Sequence, residues 1–96
     1  MMPGRIYCET EIPSSDGRTS DVKHWDAALE GALFEDAVIM IYNKIRKAFA
    51  PETPIRLWID ESMYAAIDLY APENGSRIAS LRMRMDPWKK RRVIKI

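Results

Sequence analysis

Residues 78–85, IASLRMRM, alternate strictly: Ala79, Leu81, Met83 and Met85 fall on one side, Ser80, Arg82 and Arg84 on the other. Period-two patterning of this kind is that of a strand with one face against a core and the other in water. A lone strand cannot bury such a face, so the remaining residues must supply neighbours and a cover. RIYCETEI alternates in the same way, with Ile6, Cys8, Thr10 and Ile12 opposed to Tyr7, Glu9 and Glu11. Pro13 ends that strand, and SSDGRTSD follows as a polar loop turning at Asp16-Gly17.

The cover is read from residues 26–49, DAALEGALFEDAVIMIYNKIRKAF. Phe34, Val38, Ile41, Ile45 and Ala48 recur at three- and four-residue steps, with Leu33, Ala37 and Met40 widening the stripe. Acids lie toward its start and Lys44, Arg46 and Lys47 in its last turns, as the helix dipole favours. Pro51 and Pro54 stop it. IRLWID, residues 55–60, is a short strand.

The next segment, ESMYAAIDLYAPENG, carries two patterns. As a helix it is capped by Asp60 or Ser62, presents Met63, Ile67 and Tyr70 on one side and ends before Pro72. As a strand it alternates Ala65, Ile67, Leu69 and Ala71 and turns at Asn74-Gly75, a hairpin signal. The propensity of Met-Tyr-Ala-Ala tips the reading to helix. At the end, Asp86-Pro87 suits a tight turn, with RRVIKI returning as a strand. The expectation is therefore a single α+β domain over residues 1–96. Its order is β-α-β-α-β-β: a small, mostly antiparallel sheet with one long and one short helix packed on one face.

Composition narrows the function classes. At 47% apolar and 30% charged residues, the chain is that of an ordinary globular protein. No apolar run approaches the ~20 residues that span a bilayer, and MMPGRIYCETEIP lacks the apolar core of a secretory leader. A lone cysteine, Cys8, permits neither an internal disulfide nor a multi-cysteine zinc site. A cytoplasmic protein with no membrane association is expected. Cys8 lies on the apolar side of its strand with nothing basic beside it, which is the setting of an inert, buried thiol.

Catalytic sets are thin. His24 is the one histidine, near Asp21 and Asp26, with Ser14, Ser15 and Ser20 in the same loop; none of these serines sits in a nucleophile elbow. The expected role of His24 is a local hydrogen bond at the helix start. Asp26 and Glu30 would share a helix face but match no ligand spacing for a metal, and Asp60 reads as a helix cap. The glycines, at positions 4, 17, 31 and 75, form no phosphate-binding loop. No enzyme activity, cofactor or metal is expected.

Charge is the unusual feature. Residues 1–74 carry seven Lys/Arg against thirteen Asp/Glu, net −6, whereas residues 75–96 carry eight against Asp86 alone, net +7. Such asymmetry points to an acidic partner, or to attraction between the two halves within or between molecules. Arg82, Arg84, Lys89, Lys90, Arg91, Arg92 and Lys95, with Trp88 among them, form the candidate binding residues. They are placed to meet phosphates while Trp88 stacks on a base; equally, they are the charges that keep an exposed strand from aggregating. Three tryptophans, four tyrosines, two phenylalanines and six methionines are a heavy apolar load for 96 residues, and protein interfaces favour these types. Phe34, Trp58 and Met83 are assigned to the core, and subunits could join negative end to positive end.

IRLWIDESMYAAIDLY followed by RMRMDPWKKRRVIKI resembles the strand–helix–hairpin ending of small phage-encoded α+β proteins, some of them virion or assembly accessories. The resemblance covers residues 55–96 and rests on a strand, an Asp-capped segment and the DPW turn. It implies a structural or interaction role and carries over no functional residue. The expected function is thus a non-enzymatic, self-associating interaction module with a homo-oligomeric or other protein partner. Nucleic-acid binding through the basic C-terminal hairpin is the alternative.

Overall fold

A computed structural model describes residues 4–88. Its element order is β1 (Arg5–Pro13), β2 (Ser20–Ala28), α1 (Phe34–Ala48), β3 (Ile55–Ile59), β4 (Tyr64–Tyr70) and β5 (Arg77–Arg84). The strands form one antiparallel sheet in the order β2-β1-β5-β4-β3. Three pairs are hairpins, β1-β2, β3-β4 and β4-β5. The last of these inserts β5 between β1 and β4, so the alternating IASLRMRM segment joins the two halves of the sheet.

The expected order β-α-β-α-β-β is corrected to β-β-α-β-β-β, with one helix instead of two. Residues 26–28 belong to β2, and the helix starts only at Phe34. The physical reason lies in the intervening turn, where Glu30 (φ +52°) and Gly31 (φ +85°) both take left-handed backbone that no right-handed helix contains. Leu29 N–H donates to Gly4 C=O at 2.9 Å, tying this turn to the start of β1. Strand β2 has little period-two character of its own. It forms because all nine of its residues find partners in β1, from Pro13↔Ser20 to Arg5↔Ala28.

The second helix is also corrected: residues 64–70 are strand β4. Asp60 caps a hairpin turn and not a helix. Its Oδ1 accepts from Ser62 N–H at 2.9 Å, Ser62 Oγ at 2.6 Å and Tyr64 N–H at 3.3 Å, while Met63 takes φ +60°. These bonds hold the carboxyl of Asp60 below the usual carboxylate range, with the Ser62 hydroxyl as the largest cause. The Asn74-Gly75 signal proves decisive at the other end. Gly75 sits at φ +73°, and Asn74 Oδ1 accepts from both N–H and Oγ of Ser76.

One side of the sheet packs on the helix. Ile6 and Cys8 of β1, Ala65, Ile67 and Leu69 of β4, and Leu81 and Met83 of β5 are buried there against Phe34 and Val38 of α1 and Leu29. Ala37, Ile41, Tyr42 and Ile45 flank them, so the expected helical stripe holds at its centre. Its margins do not: Leu33, Met40 and Ala48 are exposed. The Pro51 stop holds, and Arg46 Nη2 donates to Ala50 C=O at 2.8 Å. Trp58, assigned to the core from sequence, is 52% exposed, because odd–even alternation in β3 puts it on the side away from the helix, opposite Ala66. Phe34 and Met83 are in the core as expected. Among the described residues, no helix is long and apolar enough to cross a membrane.

Candidate functional site

Among the described residues, the sheet face opposite α1 is bare of any helix, and the cross-strand registers lay out its residues in rows. One row runs Asp26, Tyr7, Arg84, Tyr64 from β2 to β4. The next runs His24, Glu9, Arg82, Ala66, Trp58, and the third Val22, Glu11, Ser80, Asp68, Arg56. Arg82 and Arg84 therefore point away from the core, as the alternation of β5 requires. They also lie between the acids of β1 and Asp68 of β4, and Arg77 Nη2 reaches Glu11 Oε1 at 3.4 Å. Part of the charge asymmetry is thus satisfied inside the molecule.

Trp88 folds back over the first row. Its Nε1–H donates to Tyr7 C=O at 3.0 Å, one ring face carries the Arg84 guanidinium 3.9 Å from the ring centroid, and Tyr64 meets it edge-on at 6.1 Å. Arg84 also donates to Asp86 C=O at 3.1 Å and Pro87 C=O at 2.7 Å. Its guanidinium holds the 86–88 segment in place, a structural task that competes with phosphate binding. The other predicted site residues, Lys89, Lys90, Arg91, Arg92 and Lys95, lie outside the described residues, as does the expected return strand RRVIKI.

His24 is not at a helix start. It sits mid-strand in β2, with Nε2 3.0 Å from Oε2 of Glu9, fifteen residues away in the chain. Glu9 is 2% exposed although it lies on the bare face, so neighbouring side chains seal it from water. The His24 and Trp88 rings are nearly parallel, 16° apart in plane with centroids 6.5 Å apart. Both line a shallow cavity of about 220 Å³ whose other walls are Tyr7, Cys8, Trp25, Asp26 and Pro87. Asp26 does not share a helix face with Glu30; it holds Arg5 Nε at 3.1 Å through Oδ2. Among the described residues, no group of three or more His, Cys, Asp or Glu side chains is placed to hold a metal ion.

Cys8 is fully buried, and that burial pushes its thiol up to about 12 from an ordinary 9.0. An inert thiol is what the sequence led us to expect.

The outer edge of β2 is the second feature. Every residue from Ser20 to Asp26 is exposed, and among the described residues no strand pairs with its outer side. Val22 stands on the bare face and Trp25 on the helix side, each more than a third exposed. Trp25 Nε1–H donates to Thr10 Oγ1 at 3.0 Å, beside the exposed Ile12, so α1 does not reach across this end of the hairpin. Neither the His24–Glu9 pair nor the β2 edge was foreseen, since both depend on a strand that only its partner reveals. Comparison with protein-family models, curated proteins and solved structures finds no match to this chain.

Proposed function

We propose that this protein is a non-enzymatic interaction module that self-associates by pairing the β2 edges of two copies. The observation that carries this reading is the nine-residue β2 strand, exposed from Ser20 to Asp26 with apolar Val22 and Trp25 on its two faces. A long edge with open backbone donors and acceptors is a template for a further strand. The opposite edge, β3, is only five residues long and offers less.

Charge favours a second copy as the occupant. Natural edges repel one another through like charges, but β2 alternates in sign, with Asp21, Lys23 and Asp26. An antiparallel two-fold pairing about Val22 keeps the faces of the two sheets continuous and sets Asp21 of each copy opposite Lys23 of the other. Cross-strand pairs of this type contribute roughly 0.2–1 kcal/mol each, and the two-fold counts each twice. Such an assembly is isologous, unlike the head-to-tail joining that the charge split alone suggests. A structural or assembly role, as the phage-protein resemblance implies, needs no more than this edge.

Sedimentation over a concentration series tests the reading. Wild-type protein is expected to associate; Asp21→Lys and Lys23→Asp each weaken association, and the double variant recovers it. A strict monomer at the highest concentration overturns the proposal.

A further inference from the structure

We infer that the cavity between His24 and Trp88 is a binding slot for a nucleobase that carries an exocyclic amino group. This inference stands apart from β2 edge pairing, which engages backbone at the rim of the sheet and leaves its face open. His24 and Trp88, nearly parallel with ring centroids 6.5 Å apart, both line this cavity and offer it two aromatic surfaces on which a planar base can stack. Both walls are fixed in advance. His24 is anchored by buried Glu9, and Trp88 by its bond to Tyr7 C=O and by the Arg84 guanidinium 3.9 Å from its ring centroid. A slot that does not have to form on binding loses less ordering entropy to its ligand.

The rim selects the ring. Asp26 lines the cavity and binds Arg5 through Oδ2, and a carboxylate has a second oxygen to accept an amino group such as N4 of cytosine. Thymine presents a carbonyl oxygen at the same place, acceptor against acceptor. A guanidinium from a protein partner would also stack, but Lys89, Lys90, Arg91 and Arg92 follow Trp88 directly in the chain. Such a cluster repels a cation and attracts the phosphates that accompany a base.

The experiment compares labelled oligo(dC) and oligo(dT) of equal length by fluorescence anisotropy on the full chain, with free cytidine monophosphate as competitor. We expect oligo(dC) to bind about tenfold tighter than oligo(dT), the size of one base-edge contact. Trp88→Ala and His24→Ala each weaken oligo(dC) binding at least about fivefold, the lower end of one stacking interaction. Asp26→Asn brings the two oligomers within about twofold of each other by removing the acceptor that separates them. Far-UV circular dichroism checks that each variant is folded. Displacement by free cytidine monophosphate identifies a mononucleotide slot; binding of the oligomer alone identifies a strand-reading one. Equal affinity for the two oligomers in the wild type, or oligo(dC) binding unchanged in folded Trp88→Ala, overturns the inference.

Discussion

Glu9 and His24 meet across the β1-β2 ladder, carboxylate to imidazole at 3.0 Å, on the face of the sheet opposite α1. A carboxylate 2% exposed on a bare face is held there by the side chains around it. The pair thus joins the exposed edge strand to the body of the sheet. His24 belongs to β2 and also lines the cavity beside Trp88.

Removing the imidazole strips one hydrogen bond from that buried carboxylate. His24→Ala is expected to lower unfolding free energy by about 1–3 kcal/mol. Chemical denaturation measures it, and the loss should exceed that of Lys23→Ala on the same strand, whose side chain is solvated.

The core makes a stronger demand. Ile67 is fully buried in β4, between Leu57 and Leu81 in the cross-strand register and beneath the helix. Ile67→Ala should cost about 2–5 kcal/mol, whereas Trp58→Ala, on an exposed site, should cost less despite deleting a larger side chain. A denaturation series that ranks Trp58 above Ile67 would contradict the face assignment of β3 and β4.

These contrasts show what was legible in the chain and what was not. Strands β1, β3 and β5 and the end of α1 follow from local pattern, because alternation and proline act over a few residues. Strand β4 carries a helix-favouring Met-Tyr-Ala-Ala start, and burial of Ala65, Ile67 and Leu69 between two neighbouring strands outweighs that preference. Strand β2 has no local signature; its structure is imposed by β1 after the loop closes. Gly31 was the visible sign that a helix could not run from residue 26 to 49. At the site, the outward orientation of Arg82 and Arg84 was readable from period two, but no spacing rule brings His24 to Glu9. Register alone does that.

The turn before the helix bears on stability through its backbone. Gly31 takes φ +85° with nothing near its Cα that a methyl group would strike, so Gly31→Ala isolates backbone strain from packing. We expect a loss of about 1–2 kcal/mol. Glu30→Gly, at φ +52°, should be neutral to slightly stabilising. Thermal unfolding of the two variants side by side checks that only Gly31→Ala lowers stability.

Alkaline pH should expose the burial of Cys8. Its thiol is raised from 9.0 to about 12 in the folded state, so the unfolded chain releases its proton first. The contribution is fully present below pH 9 and is lost as pH rises from there toward about 12. Within that window stability should fall by up to about 1.4 kcal/mol per pH unit from this group. Cys8→Ala should flatten that part of the profile, and a thiol reagent at pH 8 should label the native protein only at the rate of unfolding.

The proposed pairing of two copies through β2 has a direct readout. Amide hydrogen exchange, followed by mass spectrometry as protein concentration is raised, tests it at the residues concerned. Pairing of two copies predicts that exchange across residues 20–28 slows with concentration while Ile55–Ile59, the opposite edge, stays unchanged. Exchange in residues 20–28 that is independent of concentration, or slowing confined to Ile55–Ile59, would contradict pairing through β2.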